Sequence, residues 1–501
     1  MGKDGSERKQ EGTVMSEDAP VNAGATGWPS DARAYLAVRR MQAKLHCWAA
    51  TDRGRRFEDL YNLVCDPAFL TIAWERVAGN KGARTPGVDR ATVAHITSGI
   101  GVEAFLQQVR DELKSRTFQP VPVRQVMIPK ASGKLRKLGI PTVTDRVVQA
   151  ALKLVLEPIF EADFQPCSYG FRPNRRAQDA IAEIHHFACK RYEWVLEADI
   201  EACFDMIDHT ALMDRLRRRI SDKRVLALVK GFLKAGVLTT VGTTEGTITG
   251  TPQGGILSPL LANIALSVLD DEFARRWTQE MGTANLRNRR RYHGEATYRL
   301  IRYADDFVIV VKGERADAEQ LRQEVAVVLA PMGLRLSPDK TRVVHIDDGF
   351  DFLGFHIRRM RKRGSNKSFV YTKPSTKAIA SIKARVKAMT YRNTLHHDPG
   401  YLMAYLGRVL RGWANYFRHA VAKRAFNAVD SYTWERITSW LRKKHRRIGW
   451  PELRRRYCLP GSWRLAHDGV RFKGAASVPI VRYRYRGYQI PTPWTPSTVT
   501  S

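Results

Sequence analysis

Two adjacent aspartates, Asp305 and Asp306, lie between two apolar segments, 298–302 and 307–311, that predict the arms of a β-hairpin. Carboxylates held side by side on such a turn suit Mg²⁺, which prefers hard oxygen ligands and leaves part of its shell to water and phosphates. A site with two ions needs another acid from a neighbouring strand, and Asp199, at the end of a strand-like segment, is the candidate. Alone, the motif is weak evidence, because Asp-Asp pairs are common in turns.

Further motifs flank this turn in a fixed order over residues 85–355, and a polymerase needs each of them. They are 85–89 (TPGVD), 128–130 (IPK), 133–141 (GKLRKLGIP), 168–173 (SYGFRP), 198–200 (ADI), 251–260 (TPQGGILSPL), 303–306 (YADD), 336–341 (LSPDKT) and 352–355 (FLGF). In this order they resemble the reverse transcriptases of group II introns, which also act as maturases. The resemblance covers most of the chain, and the ordered set is far more specific than any single motif.

The resemblance implies a right-hand polymerase, with α/β fingers and palm followed by an all-α thumb. The expected domains are a disordered leader (1–28), an N-terminal helical extension (29–80), fingers and palm (81–360), a helical thumb or maturase domain X (361–450) and a basic nucleic-acid-binding appendage (451–501). The C-terminal part carries neither cysteine pairs nor a His-Asn-His pattern. We therefore expect the type without an endonuclease, which takes its primer from elsewhere.

The charge of the chain predicts a polyanionic partner. A formal net charge of +33 and a pI near 10.2 imply strong self-repulsion that phosphates would neutralise. An anionic membrane is the alternative, but the basic residues are spread along the chain beside aromatics, and no stretch reaches 18 uninterrupted apolar residues. Six scattered cysteines indicate neither a zinc knuckle nor a disulfide framework. We expect a cytoplasmic, reducing setting and no membrane partner.

By resemblance, the catalytic residues are Asp199, Asp305 and Asp306. The metal set, for two Mg²⁺ ions, is Asp199, Ile200, Asp305 and Asp306. The nucleotide-binding residues are Lys130, Arg136, Phe204, Gln253 and Lys340. Within this set, Arg136 on the fingers hairpin is the expected triphosphate ligand, and Phe204 is the expected steric gate against a 2′-hydroxyl.

The C-terminal third is strongly basic, with 26 Lys/Arg against 4 Asp/Glu between residues 356 and 456. Its aromatics, Trp450 among them, are expected in the core of basic helices that grip nucleic acid, and base-stacking platforms are the less favoured alternative. The nucleic-acid-binding candidates are Arg172, Arg411, Arg418, Arg442, Lys443 and Lys444. Residues 285–291 are expected to form a basic loop, and the alternation in residues 482–486 allows a strand.

The expected activity is RNA-directed DNA synthesis. The partners implied are an RNA template with its DNA primer, dNTPs, target DNA and a group II intron RNA, which the protein would help to splice and would copy during retrohoming. Two alternatives stay open. One is a related reverse transcriptase domesticated for defence or for another noncoding RNA, and the other is a maturase that acts only in splicing.

Overall fold

The computed structural model of this chain describes residues 27–129, 135–238, 244–245, 250, 254–362, 364–446, 448–487 and 489–495. The first elements are helical: α1 (Asp31–Thr51), α2 (Tyr61–Val64), α3 (Pro67–Ala78), α4 (Val93–Gly99) and α5 (Val102–Ser115). The first three pack against the long helix that follows the fingers hairpin, whereas α5 packs on α3 and α4 on α5, so the N-terminal extension shares a core with the rest of the chain.

The predicted fingers hairpin is present as β1 (Val123–Pro129) and β2 (Leu135–Ile140), an antiparallel pair. It is followed by α6 (Val143–Glu161), which is buried over most of its length, and by α7 (Ala177–Ala188). Helix α6 begins at a threonine cap, because the Thr142 hydroxyl accepts a hydrogen bond from the Asp145 N–H.

The middle of the chain builds the palm. Its elements are β3 (Trp194–Asp199), α8 (Cys203–Met206), α9 (His209–Arg217), α10 (Lys223–Lys234), α11 (Ser258–Arg275), α12 (Ala284–Tyr292), β6 (Thr297–Tyr303), β7 (Asp306–Lys312), α13 (Arg315–Leu329) and β8 (Arg342–His345). Two short strands between α10 and α11, β4 (Val237–Leu238) and β5 (Thr244–Glu245), instead extend the sheet of the fingers hairpin, because β4 pairs with β1. The loop prediction for residues 285–291 was wrong, because these residues form α12. The Thr283 hydroxyl caps this helix by accepting from the Leu286 N–H.

The palm sheet has the strand order β6-β7-β3-β8, with every neighbouring pair antiparallel. Alternate residues of β7 enter two different cores. Phe307 and Ile309 pack on one face with helices that include α6 and α11, whereas Val308 and Val310 pack on the other face with α7 and the thumb. Both faces of the sheet are therefore covered, which fits the nearly continuous apolar sequence of β7.

The remaining elements are β9 (Phe350–Phe352), β10 (Phe355–Arg361), β11 (Ser368–Pro374), α14 (Thr376–Met389), α15 (Pro399–Phe417), α16 (Lys423–Lys444), α17 (Trp450–Tyr457), β12 (Ala466–His467) and β13 (Val470–Arg471). The mixed palm is thus followed by a helical region, as expected. In the described part of the chain, no helix is long and apolar enough to cross a membrane.

Residues 478–495, which we call the C-terminal strap, return from the thumb to the palm. The strand suggested for residues 482–486 is absent, because this segment pairs with side chains of α7 rather than with another strand. Farther along, Trp494 is 7% exposed and its indole N–H donates to Gln42 on α1. The strap therefore links the thumb, the palm and the N-terminal extension.

Candidate active site

The turn between β6 and β7 brings the candidate carboxylates together. Tyr303 pairs with Asp306 across the hairpin, so the turn consists of Ala304 and Asp305, with Ala304 at φ +59°. Strand β3 lies on the other side of β7 and places Asp199 directly opposite Asp306. Asp199, Asp305 and Asp306 therefore lie at the same end of the sheet.

The electrostatics of this cluster favour a bound cation. Desolvation by the surrounding protein, followed by repulsion from Asp305 and Asp199, raises the pKa of Asp306 to about 6. Desolvation also raises the pKa of Asp305, with Asp199 adding to the shift. The ammonium of Lys340 lies 2.7 Å from Asp199 Oδ2, and this hydrogen bond raises the pKa of Lys340.

Ile200 can offer the site only its backbone, since its side chain is 2% exposed within the core. It forms an isolated antiparallel bridge with Leu336. The two hydrogen bonds of that bridge run from the Glu201 N–H to the Arg335 carbonyl and from the Ser337 N–H to the Asp199 carbonyl. Neither bond uses the carbonyl of Ile200. Carboxylate and carbonyl oxygens are hard donors of the kind that Mg²⁺ prefers.

A cavity of about 340 Å³ opens beside these carboxylates, between the palm sheet and the start of the thumb. Asp199, Asp306 and Lys340 line it, together with Asp339 and Leu353. Leu353 belongs to the turn of the 352–355 motif, and its carbonyl accepts a hydrogen bond from the Tyr416 hydroxyl of α15. The thumb is thus fixed directly to the edge of the candidate site.

The segment before α7 braces the catalytic turn from behind. The Tyr169 N–H donates to the carbonyl of Arg302 at 2.8 Å. A Cβ built on Gly170 would lie 2.2 Å from the Ala304 nitrogen, so the two backbones touch where a larger residue would not fit. The Gly170 carbonyl in turn accepts from Asn263 on α11. Tyr169 and Gly170 of the 168–173 motif therefore support the backbone of the turn that carries Asp305.

Sequence reasoning missed a buried side chain that holds the same turn. Arg302 is fully buried, and its guanidinium donates to the Ala304 carbonyl at 2.8 Å and to the side chains of Ser168, Asn263 and Asp270. The available signal was a charged residue inside the apolar strand β6, since a buried charge requires partners.

Among the nucleotide-binding candidates, Arg136 is exposed on β2, and its positive charge opposes the rise in the Asp305 pKa. Phe204 is half-buried after β3, with its ring centroid 6.4 Å from that of Phe171. Lys130 and Gln253 lie outside the described residues. Lys340 is therefore in direct contact with Asp199, and the charge of Arg136 reaches Asp305.

The nucleic-acid contact predicted for Arg172 was wrong. Its side chain is 2% exposed, and its guanidinium donates to both oxygens of Glu161 and to the carbonyls of Gln165 and Ser168. These partners use its donors inside the protein, so Arg172 stabilises the junction between α6 and α7.

The thumb candidates occupy different environments. Lys443 is exposed at the end of α16, whereas Lys444 donates to the Leu395 carbonyl. Arg442 lies over the ring of Trp450. Arg411 and Arg418 are half-buried on α15 and at its end. The core placement expected for Trp450 was wrong, because that residue is 42% exposed.

The fold combines an antiparallel sheet that carries the carboxylates with a basic fingers hairpin and a helical region after the sheet. Together these features define a nucleotidyl-transferring polymerase. The family model described as reverse transcriptase (RNA-dependent DNA polymerase) matches residues 128–357, and that of the group II intron maturase-specific domain matches residues 379–458. With the relatives below, these matches show that the chain belongs to the family of group II intron-encoded reverse transcriptases with a maturase domain.

Protein YkfC of Escherichia coli (strain K12) is 40% identical over 361 residues, which cover 68% of this chain and 94% of that protein. The group II intron-encoded protein LtrA of Lactococcus lactis subsp. cremoris is 34% identical over 357 residues, covering 62% of this chain and 58% of LtrA. Among solved structures, a telomerase from Candida albicans in complex with a telomeric RNA fragment matches with a TM-score of 0.36 at 13% identity, covering 65% of this chain and 60% of that one.

Proposed function

We propose that this chain is an RNA-directed DNA polymerase that extends a DNA primer on an RNA template, and that it also binds a group II intron RNA and assists its splicing. The observation that carries the proposal is the meeting of Asp199, Asp305 and Asp306 at one end of the palm sheet. The family match and the net charge of +33 support nucleic acid as the substrate. Copying of the intron into target DNA during retrohoming is part of the same proposal.

We assign the metal site to the carboxylates of Asp199, Asp305 and Asp306 and to the carbonyl of Ile200. When bound there, two Mg²⁺ ions supply activation of the attacking oxygen and neutralisation of the leaving group. The carboxylates supply the negative charge that such ions need. The raised pKa of Asp306 reflects first its desolvation and then the repulsion from Asp305 and Asp199, which a cation would relieve. Lys340 balances Asp199 through its hydrogen bond, and we assign it to a phosphate when substrate is present.

Arg136 and Lys130 are assigned to the triphosphate of the incoming nucleotide. Arg136 offers bidentate contacts to phosphate oxygens, and it is exposed on the hairpin whose charge reaches Asp305. Phe204 is assigned as the ring that excludes a ribose 2′-hydroxyl, and Gln253 as an amide contact to the nucleotide. These roles concern selection and positioning of the substrate, which supply much of the rate of phosphoryl-type transfer.

Primer extension tests the catalytic assignment. Asp305→Ala should abolish DNA synthesis on an RNA template while RNA binding stays within about twofold, because one carboxylate among many charges contributes little to binding. Asp339→Ala is the matched control, since Asp339 lines the same cavity outside the proposed ligand set. Retained synthesis by the Asp305 variant, or equal loss in both variants, would overturn the assignment.

Crosslinking in the native cell, followed by sequencing of the bound RNA, tests the intron assignment. A dominant structured RNA that encloses the coding sequence of this protein would support the maturase proposal, and the Asp305→Ala variant should recover the same RNA. Recovery of another small RNA or of a diverse pool would reject the assignment to a group II intron but would not affect the assignment as a polymerase.

A further inference from the structure

Three tryptophans meet where α16, α17 and the loop after α17 come together, and we call Trp434, Trp450 and Trp463 the tryptophan cluster. The ring centroids of Trp434 and Trp450 lie 6.1 Å apart with their planes 1° from parallel. The ring of Trp463 stands nearly perpendicular to both, at 6.2 Å and 5.9 Å. Trp450 and Trp463 are 42% and 44% exposed.

The exposure of these rings is not explained by a lack of space in the core. Trp440, on the same helix as Trp434, is 1% exposed and packs inside the thumb. The half-buried ring of Trp434, on which both exposed rings pack, is tied to the loop after α17, because its indole N–H donates to the Trp463 carbonyl at 3.1 Å. A fixed, exposed aromatic patch indicates an interaction surface.

The charges around the cluster favour a polyanion. Residues 431–464 contain ten Lys/Arg and two Glu. The guanidinium carbons of Arg442 and Arg454 lie 5.1 Å and 5.3 Å from the ring centroids of Trp450 and Trp463. Glu452 pairs with Arg455 and Arg456, so part of the positive charge is compensated, while Arg442 and Arg454 stay on the rings.

We propose that the tryptophan cluster binds unpaired bases of single-stranded nucleic acid. Every base has an aromatic face that stacks on tryptophan or on a guanidinium plane, and the phosphates of the strand would lie beside the surrounding arginines. A protein partner would have to match the same positive charge with an acidic surface. The proposal deepens the proposed function, since it rests on nucleic-acid binding by the thumb, but it concerns a subsite separate from the carboxylates.

Two labelled strands separate the contribution of base stacking from that of contacts to the phosphates. A 12-nucleotide oligothymidylate and a 12-unit abasic strand carry the same phosphates, and an excess of blunt duplex occupies sites that require no unpaired bases. Wild-type protein should bind the oligothymidylate about 5- to 150-fold more tightly, the range for stacking of one base. An oligouridylate in parallel distinguishes an RNA from a DNA preference. Equal affinity for the base-containing and abasic strands would overturn the proposal.

Substitutions then test whether the tryptophan cluster causes the preference for the base-containing strand. Trp463→Ala combined with Trp450→Ala should abolish the preference for bases and leave affinity for the abasic strand unchanged. Trp463→Ala keeps the carbonyl that accepts from Trp434, so the loop retains that anchor. Tyr292→Ala is the matched control, because Tyr292 is 89% exposed and follows three arginines on α12. A preference that survives in the double variant would reject the cluster as the site.

Photocrosslinking of wild-type protein keeps the test independent of variant folding. A strand containing 5-iodouracil should crosslink to peptides that contain Trp450 or Trp463, and crosslinks confined to other peptides would overturn the proposal. Primer extension by the same preparation reports on the polymerase. A protein that fails to extend but crosslinks at the cluster would contradict the proposed function alone, whereas the converse would contradict this inference alone.

Discussion

Arg302 and Asp270 form a fully buried ion pair 2.5 Å apart, directly behind the turn that carries Asp305. The Arg302 guanidinium also donates to the carbonyl of Ala304, the first residue of that turn. The pair therefore connects α11 to the backbone that carries Asp305. Since a buried charge without its partner is strongly unfavourable, the pair fixes the turn in one place.

Asp270→Asn should destabilise the protein and impair synthesis together. The substitution leaves the buried guanidinium without its counter-charge, which costs about 3 to 5 kcal/mol of unfolding free energy. Chemical denaturation measures this loss, and primer extension measures the effect on the turn. The neighbouring variant Asp271→Asn is the control, because Asp271 is 43% exposed in its pair with Arg215 and should lose about 1 kcal/mol or less. Similar losses in the two variants would contradict the role given to burial.

Gly170→Ala should reduce DNA synthesis by about a hundredfold or more, because a shift of about 1 Å in the catalytic turn is enough for such a loss. The added Cβ would lie 2.2 Å from the Ala304 nitrogen, so the turn must move. Steady-state primer extension with folded, purified protein measures the effect. Gly99→Ala, whose Cβ would meet no atom closer than 3.8 Å, should retain full activity. Normal synthesis by the Gly170 variant would show that the turn tolerates displacement.

The catalytic hairpin could be predicted from sequence because its signals are local. The two apolar arms and the turn between them lie within residues 298–311, and the short-range pattern determines both strands. The contacts of Arg302 could not be predicted in the same way, since Asp270 lies 32 residues earlier on a helix and only the folded chain brings them together. What the sequence does offer is the charge itself, placed in an apolar strand.

Arg302 was a structural residue that the sequence did not reveal, whereas Arg172 was assigned a nucleic-acid contact and proved to be structural. An arginine in the 168–173 motif suggested a phosphate contact, yet its partner Glu161 lies at the end of the apolar helix α6. A carboxylate on a helix that is otherwise buried requires a buried cation, and the nearest one in the folded chain is Arg172. The exposure of Trp450 was missed for a related reason, because helical spacing alone does not tell which face of a thumb helix is covered.

Asp145→Asn should change how stability depends on pH. Burial raises the pKa of Asp145 to about 6 from its ordinary value near 3.8. The folded protein therefore holds this proton more tightly than the unfolded chain, and the stability that it contributes is lost as pH rises from about 4 to 6. Between pH 4 and pH 7, the unfolding free energy of the variant should gain about 1 to 3 kcal/mol relative to wild type.

Denaturant titrations at several pH values measure this difference. The control is Asp214→Asn, since the Asp214 side chain is 66% exposed in a surface pair with Arg217. Its unfolding free energy should follow the wild-type pH profile. A flat difference between the Asp145 variant and wild type would show that the pKa of Asp145 keeps its ordinary value in the folded protein.

Arg486→Ala should loosen the C-terminal strap. The Arg486 guanidinium donates to both carboxylate oxygens of Asp179, which is buried on α7. Without Arg486, that carboxylate keeps the Tyr483 hydroxyl and the Arg176 N–H, so the loss should be about 1 to 3 kcal/mol. Hydrogen exchange measures the effect locally, and amides of residues 478–495 should exchange faster. Arg484→Ala removes an exposed arginine two residues away and should change stability by about 0.5 kcal/mol or less. The two variants lose the same charge. A larger loss of stability in the Arg486 variant would therefore be due to its contact with Asp179. Equal losses in the two variants would show that net charge, and not this contact, holds the strap.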